Sequence, residues 1–78
     1  MEYLALFYTT HGSIKFKKKL INIGMEVEVL PVPRRLSSGC GVAVKFFSDQ
    51  DVSSLIDQTV EKLYRITQSE YQLVYGSE

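Results

Sequence analysis

The sequence predicts an α+β fold of the ferredoxin-like βαββαβ type, a four-stranded antiparallel sheet with two helices on one face. Three observations lead there. Four short apolar or alternating runs have strand character, two intervening segments place apolar residues at roughly helical spacing, and 78 residues suffice for one domain spanning residues 1–78.

The elements follow in order. Tyr3 to Tyr8 is aromatic-rich and uncharged, a strand buried on at least one face. Thr9 to Ser13 interrupts it and offers hydroxyls for a helix N-cap; Ile14, Phe16, Leu20, Ile21 and Ile23 then recur at helical spacing up to the C-cap signal Gly24. Lys15, Lys17, Lys18 and Lys19 read as the solvated side of this helix, with a docking surface as the alternative. Met25 to Leu30 alternates, with Met25, Val27 and Val29 on one face and Glu26 and Glu28 on the other. Pro31 and Pro33 end that strand, and a loop without periodicity runs to Gly41. Val42 to Phe47 is a third, central strand. Ser48 and Asp51 resemble a capping box, and Val52, Leu55, Ile56, Val60 and Leu63 form the apolar stripe expected of a second helix. Tyr71, Leu73 and Tyr75 supply a last strand before a Gly-Ser-Glu tail.

Composition excludes several classes. A single cysteine rules out an intramolecular disulfide framework and a cysteine-based zinc site, so neither a metal nor a cofactor is expected. Glu2 stands where a signal peptide would carry positive charge, and no apolar run approaches the ~18 residues of a membrane span, so a cytoplasmic protein is expected. Net charge zero argues against general nucleic-acid binding. The zero is an average: residues 1–45 hold seven Lys/Arg against three Asp/Glu, and residues 46–78 hold two against six. So short a chain has a thin core, which leaves room for a homodimer.

In the predicted topology the third strand lies between the first and second. The Thr9–Ser13 segment and the Pro31–Gly41 loop then meet at one end of the sheet, with Cys40 between them. Cationic groups and helix N-termini raise the thiolate fraction of a cysteine. Arg34 and Arg35 lie in the same loop, and Thr10 and His11 face it at the start of the helix. Gly39 and Gly41 remove bulk beside the sulfur, while Ser37, Ser38 and the N–H groups around Gly39 could form an anion-receiving nest. The expectation is an exposed, reactive Cys40. The plainer alternatives are a small core cysteine, a helix-start His11, and Arg34 and Arg35 paired with Glu26 or Glu28. Ser37 and Ser38 have no His/Asp arrangement that would make a serine nucleophile, and HExxH, P-loop and GxGxxG patterns are absent.

The run PVPRRLSSGCG, following a strand–Thr10–His11–helix start, resembles the small selenium/sulfur carrier protein-like family. Pro31, Pro33, Arg34, Leu36, Ser37, Ser38, Cys40 and Gly41 carry the motif, with His11 upstream, and the resemblance covers nearly the whole chain. It implies a carrier or accessory role rather than a stand-alone enzyme, with sulfur or selenium held on Cys40 as a persulfide or perselenide. The implied partners are a donor such as a cysteine desulfurase and an acceptor protein. Three other functions compete with it: a non-catalytic ferredoxin-like interaction or regulatory module, a thiol redox sensor acting through an intermolecular disulfide, and, ranked last, a weak nucleic-acid binder using Lys15, Lys17, Lys18, Lys19, Arg34 and Arg35.

Overall fold

The computed structural model describes residues 1–68 and 70–76; of the expected Gly-Ser-Glu tail, Ser77 and Glu78 lie outside the described residues. The chain runs β1 (Glu2–Phe7), α1 (Thr10–Asn22), β2 (Val27–Pro31), β3 (Val42–Phe47), a 3-10 turn (Ser53–Leu55), β4 (Val60–Thr67) and β5 (Glu70–Tyr75). Five strands form one sheet in the order β2-β3-β1-β4-β5, with every neighbouring pair antiparallel.

β1 occupies the centre and is buried from both sides. Tyr3, Ala5 and Phe7 face α1, while Leu4 and Leu6 face the opposite layer. On the helix side, the rings of Phe7 and Phe16 pack with centroids 5.2 Å apart, Phe16 and Phe46 at 5.9 Å, and Tyr3 and Phe46 at 5.5 Å. Burial of each such side chain is worth about 1.5–3 kcal/mol. On the other face Leu4, Leu6, Ala43 and Tyr64 are buried beneath Val32 and Leu36 of the β2–β3 loop. The helix therefore covers one side of the sheet and a loop covers part of the other.

α1 begins at Thr9, whose Oγ1 accepts the Gly12 N–H at 3.0 Å. It ends in a Schellman arrangement: Met25 N–H donates to Leu20 O and Gly24 N–H to Ile21 O, each at 3.0 Å, with Gly24 at φ 86°. The buried face is narrower than the apolar spacing suggests. Gly12, Ser13, Phe16 and Leu20 are buried, whereas Ile14, Ile21 and Ile23 are exposed.

The ferredoxin-like expectation fails in the second half of the chain: the described residues form one α-helix and a fifth strand, not two helices over four strands. The apolar stripe that suggested a second helix has two separate origins. Val52, Leu55 and Ile56 sit around the 3-10 turn and pack against the helix-side core. Val60 and Leu63 belong to β4, and their spacing of three comes from a β-bulge. Leu6 pairs with Lys62 and Phe7 with Val60, so Glu61 is an extra residue on β4. An extra residue reverses the alternation of a strand. Val60 and Leu63 thereby both face the helix, which a regular strand would forbid.

One of the four helix lysines helps to anchor the segment that replaces the second helix. Lys19 Nζ donates to Leu55 O at 2.6 Å and to Asp57 Oδ2 at 2.7 Å, and lies 5.2 Å from the Phe16 ring centroid. The other Asp57 oxygen accepts from the N–H and hydroxyl of Thr59. Partial burial pushes the Asp57 carboxyl upward, but the hydrogen bonds from Lys19 and Thr59, together with the Lys19 charge, outweigh it and hold the group below the usual carboxylate value. A carboxyl depressed in the folded state binds more protons when unfolded. Its contribution is present above the ordinary carboxylate pKa of about 4 and is lost as pH falls through the lower folded value. Denaturant titrations from pH 7 down to pH 2 should therefore show less acid-dependent loss of stability for Asp57→Asn than for the native chain. The Asn variant should also be less stable near neutrality, by about 0.5–1 kcal/mol at this exposure.

Candidate functional site

The β2–β3 connection leaves the sheet at Pro31, and the Val32 N–H donates to Gly41 O at 3.1 Å, closing the neck of the excursion. A turn at Pro33–Leu36, closed by the Leu36 N–H to Pro33 O bond at 2.9 Å, carries the two arginines. Arg34 is exposed, and the Arg35 guanidinium lies over Tyr71, 5.4 Å from the ring centroid. Tyr71 belongs to the layer opposite the helix, whereas Cys40 packs in the helix-side core. Arg35 and Cys40 are therefore associated with different faces of the sheet. Glu28, one of the carboxylates considered for the arginines, instead pairs with Lys45 at 3.3 Å.

From Ser37 onward the loop crosses the end of β1 and is held at successive positions. Lys62 Nζ donates to Ser37 O at 3.1 Å. Ser38 Oγ lies 2.9 Å from Phe7 O and 2.6 Å from Cys40 O, able to donate its one proton to either, and accepts the Cys40 N–H at 2.9 Å. Gly39 N–H donates to Glu61 Oε1 at 2.9 Å. The N–H groups of Gly39 and Cys40 are thus already bonded within the chain, and the expected anion nest is filled by Glu61 and Ser38. Glu61 and Lys62 were not among the residues expected here, because the sequence pattern assigned both to a helix. The available signal was the β-branched and aromatic content of Val60–Thr67.

Cys40 itself is 6% exposed, so the expected exposed thiol is instead nearly buried among Phe7, Phe16 and Val44. Its Sγ receives the Val42 N–H at 3.4 Å and lies 3.4 Å from Thr10 Oγ1. Thr10 is the first residue of α1, so the sulfur sits at the helix's positive end. Thr10 and Cys40 are brought together across thirty residues of sequence. His11 is exposed and turns to a separate groove with Tyr8, Lys15, Gln58 and Thr59. Among the described residues, no cluster of His, Cys, Asp or Glu could hold a metal ion. Nor, among the described residues, is any helix long and apolar enough to cross a membrane.

The arrangement is that of a small α+β domain with one cysteine, set on a clamped loop at a helix N-terminus. Residues 2–68 match the family described as "Putative Se/S carrier protein-like", and the chain belongs to that family. It is also 42% identical over 43 residues to the uncharacterized protein YtiA of Escherichia coli (strain K12), a match covering 55% of this chain and 51% of that protein. The match thus spans about half the length of this relative. No solved structure gives a significant match.

The two glycines beside the cysteine have different roles. A Cβ on Gly39 would come within 2.7 Å of Tyr8 O, whereas one on Gly41 would meet nothing within 4 Å. Gly39 lets the loop lie against the β1–α1 junction, and Gly41 leaves open space next to the sulfur-bearing residue. Gly39→Ala should therefore destabilise the domain by about 1–3 kcal/mol through forced displacement of backbone. Gly41→Ala should stay within about 0.5 kcal/mol of the native chain, as a surface change does. Urea unfolding of the two variants checks the contrast.

Proposed function

We propose that this protein carries sulfur or selenium between partner proteins, with the transferred atom bound to Cys40 as a persulfide or perselenide. The observation that carries the reading is the pair of donors at the sulfur, the Val42 N–H and the Thr10 hydroxyl, at the N-terminus of α1. Both can donate to a negatively charged sulfur, and the helix dipole favours the same charge. Membership of the carrier-like family supports the reading independently.

The chemistry needs one cysteine. Cys40 Sγ gives its proton to solvent and attacks the outer sulfur of a donor's persulfide. A new S–S bond forms on Cys40, the donor's S–S bond breaks, and the donor's inner sulfur leaves as a thiolate. An acceptor nucleophile later attacks the outer sulfur and releases the Cys40 thiolate. No external oxidant or reductant enters either step. The outer atom stands about 2 Å beyond Sγ.

Incubation with a cysteine desulfurase and free cysteine, followed by intact mass spectrometry, tests the proposal. The native chain should gain the mass of one sulfur, released by a thiol reductant, and Cys40→Ser should gain none. Equal gain in both, or none in either, contradicts it. Thr10→Val, which keeps the shape but removes the hydroxyl, should load about three- to tenfold more slowly, in line with the loss of one hydrogen bond of ordinary strength.

A further inference from the structure

Lys62 presents a problem that the carrier reading leaves unsolved. It lies within β4 at 9% exposure, on the sheet face opposite the helix, paired across from Leu6. Lysine at such depth ordinarily has a carboxylate partner, because a desolvated ammonium is costly. Among the described residues, no ion pair joins Lys62 to an acid. Its hydrogen bond goes to a neutral group, the Ser37 carbonyl at 3.1 Å, and an ammonium has three N–H donors. Its sequence neighbour Glu61 is engaged elsewhere, accepting from Gly39 N–H.

Lys62 lines a cleft of about 250 Å³ together with Arg35, Leu36, Ser37 and Tyr64. Two of these five residues are cationic and none is acidic. The stacking of Arg35 over Tyr71 limits where its guanidinium can go. The volume corresponds to about eight waters at ~30 Å³ each, enough for a small hydrated anion but not for a large cofactor.

We propose that this cleft is a binding site for a small oxyanion of the phosphate or carboxylate class, with Lys62 and Arg35 as its charged ligands. The site lies on the other side of the clamped loop from the Cys40 sulfur. Because Lys62 also holds Ser37 O, an occupant would touch the same loop that carries the cysteine.

The test is a titration of the ¹⁵N-labelled protein with sodium phosphate, followed by amide NMR at constant ionic strength balanced with sodium chloride. Saturable shifts should centre on Arg35, Leu36, Ser37 and Lys62. Arg35→Gln and Lys62→Gln should each weaken the apparent affinity by about tenfold, the loss of one charge-assisted contact. Arg35 is at the surface, so its variant carries the test if Lys62→Gln does not fold. A parallel titration with sodium acetate separates the two sources: tighter phosphate assigns the phosphate class, and equal or tighter acetate the carboxylate class. Absence of saturable shifts with both anions overturns the proposal, as does saturation that every folded variant leaves unchanged. Cys40→Ser should bind as the native chain does, so failure of the carrier reading would leave this result standing.

Discussion

The site depends on one extra residue in β4. At the bulge opposite Leu6 and Phe7, the regular alternation of the strand is reset at Glu61. Two consecutive side chains, Glu61 and Lys62, consequently both reach the loop that crosses the end of β1. Glu61 takes the N–H of Gly39, and Lys62 takes the carbonyl of Ser37. A regular strand would send neighbouring side chains to opposite faces and offer one of these contacts at most. Ser38 adds its bonds to Phe7 and Cys40, and Gly39 lies against Tyr8 where no side chain would fit. The sulfur is placed by what holds the loop on both sides of it, and its own near-burial follows from that.

The same bulge explains which parts of the fold were legible in the sequence. β1, α1, β2 and β3 follow from local signals: an uncharged aromatic run, the Thr9 cap, the Gly24 terminus and the alternation of Val27, Glu28 and Val29. Beyond Phe47 those signals mislead. Val52, Leu55 and Ile56 do fall at helical spacing and do reach the core, but through a single 3-10 turn. Val60 and Leu63 prolong the pattern only because an inserted residue returns both to one face. A spacing of three is the mark of a helix in a regular chain and of a bulge in a strand; periodicity does not separate the two. Conversion of the second helix into β4 left the sheet with five strands and one helix.

For the site, the meeting of the helix start with the cysteine loop was legible because it depends only on β3 lying beside β1, and the Thr10–Cys40 contact is its consequence. The partners contributed by β4 were not, since a strand read as a helix offers its side chains in the wrong directions. Nor could spacing tell that Arg35 would cross to the face of Tyr71, or that the flanking glycines would divide into one packed and one open position. Both follow from the path of a long loop, which has no periodicity to read. What the carrier reading retains is a sulfur with two hydrogen-bonding neighbours at a helix N-terminus. Arginine and histidine, expected beside it, serve other surfaces.

The claim on which all of this rests is that β4 clamps the cysteine loop through Glu61. Hydrogen exchange of the Gly39 amide, measured by NMR in the native chain and in Glu61→Ala, tests it most directly. The Gly39 N–H should be protected in the native chain relative to exposed loop amides, and Glu61→Ala should speed its exchange by about tenfold while the β1 and β3 amides stay protected. An unprotected Gly39 amide in the native chain, or protection unchanged by the substitution, would contradict the account.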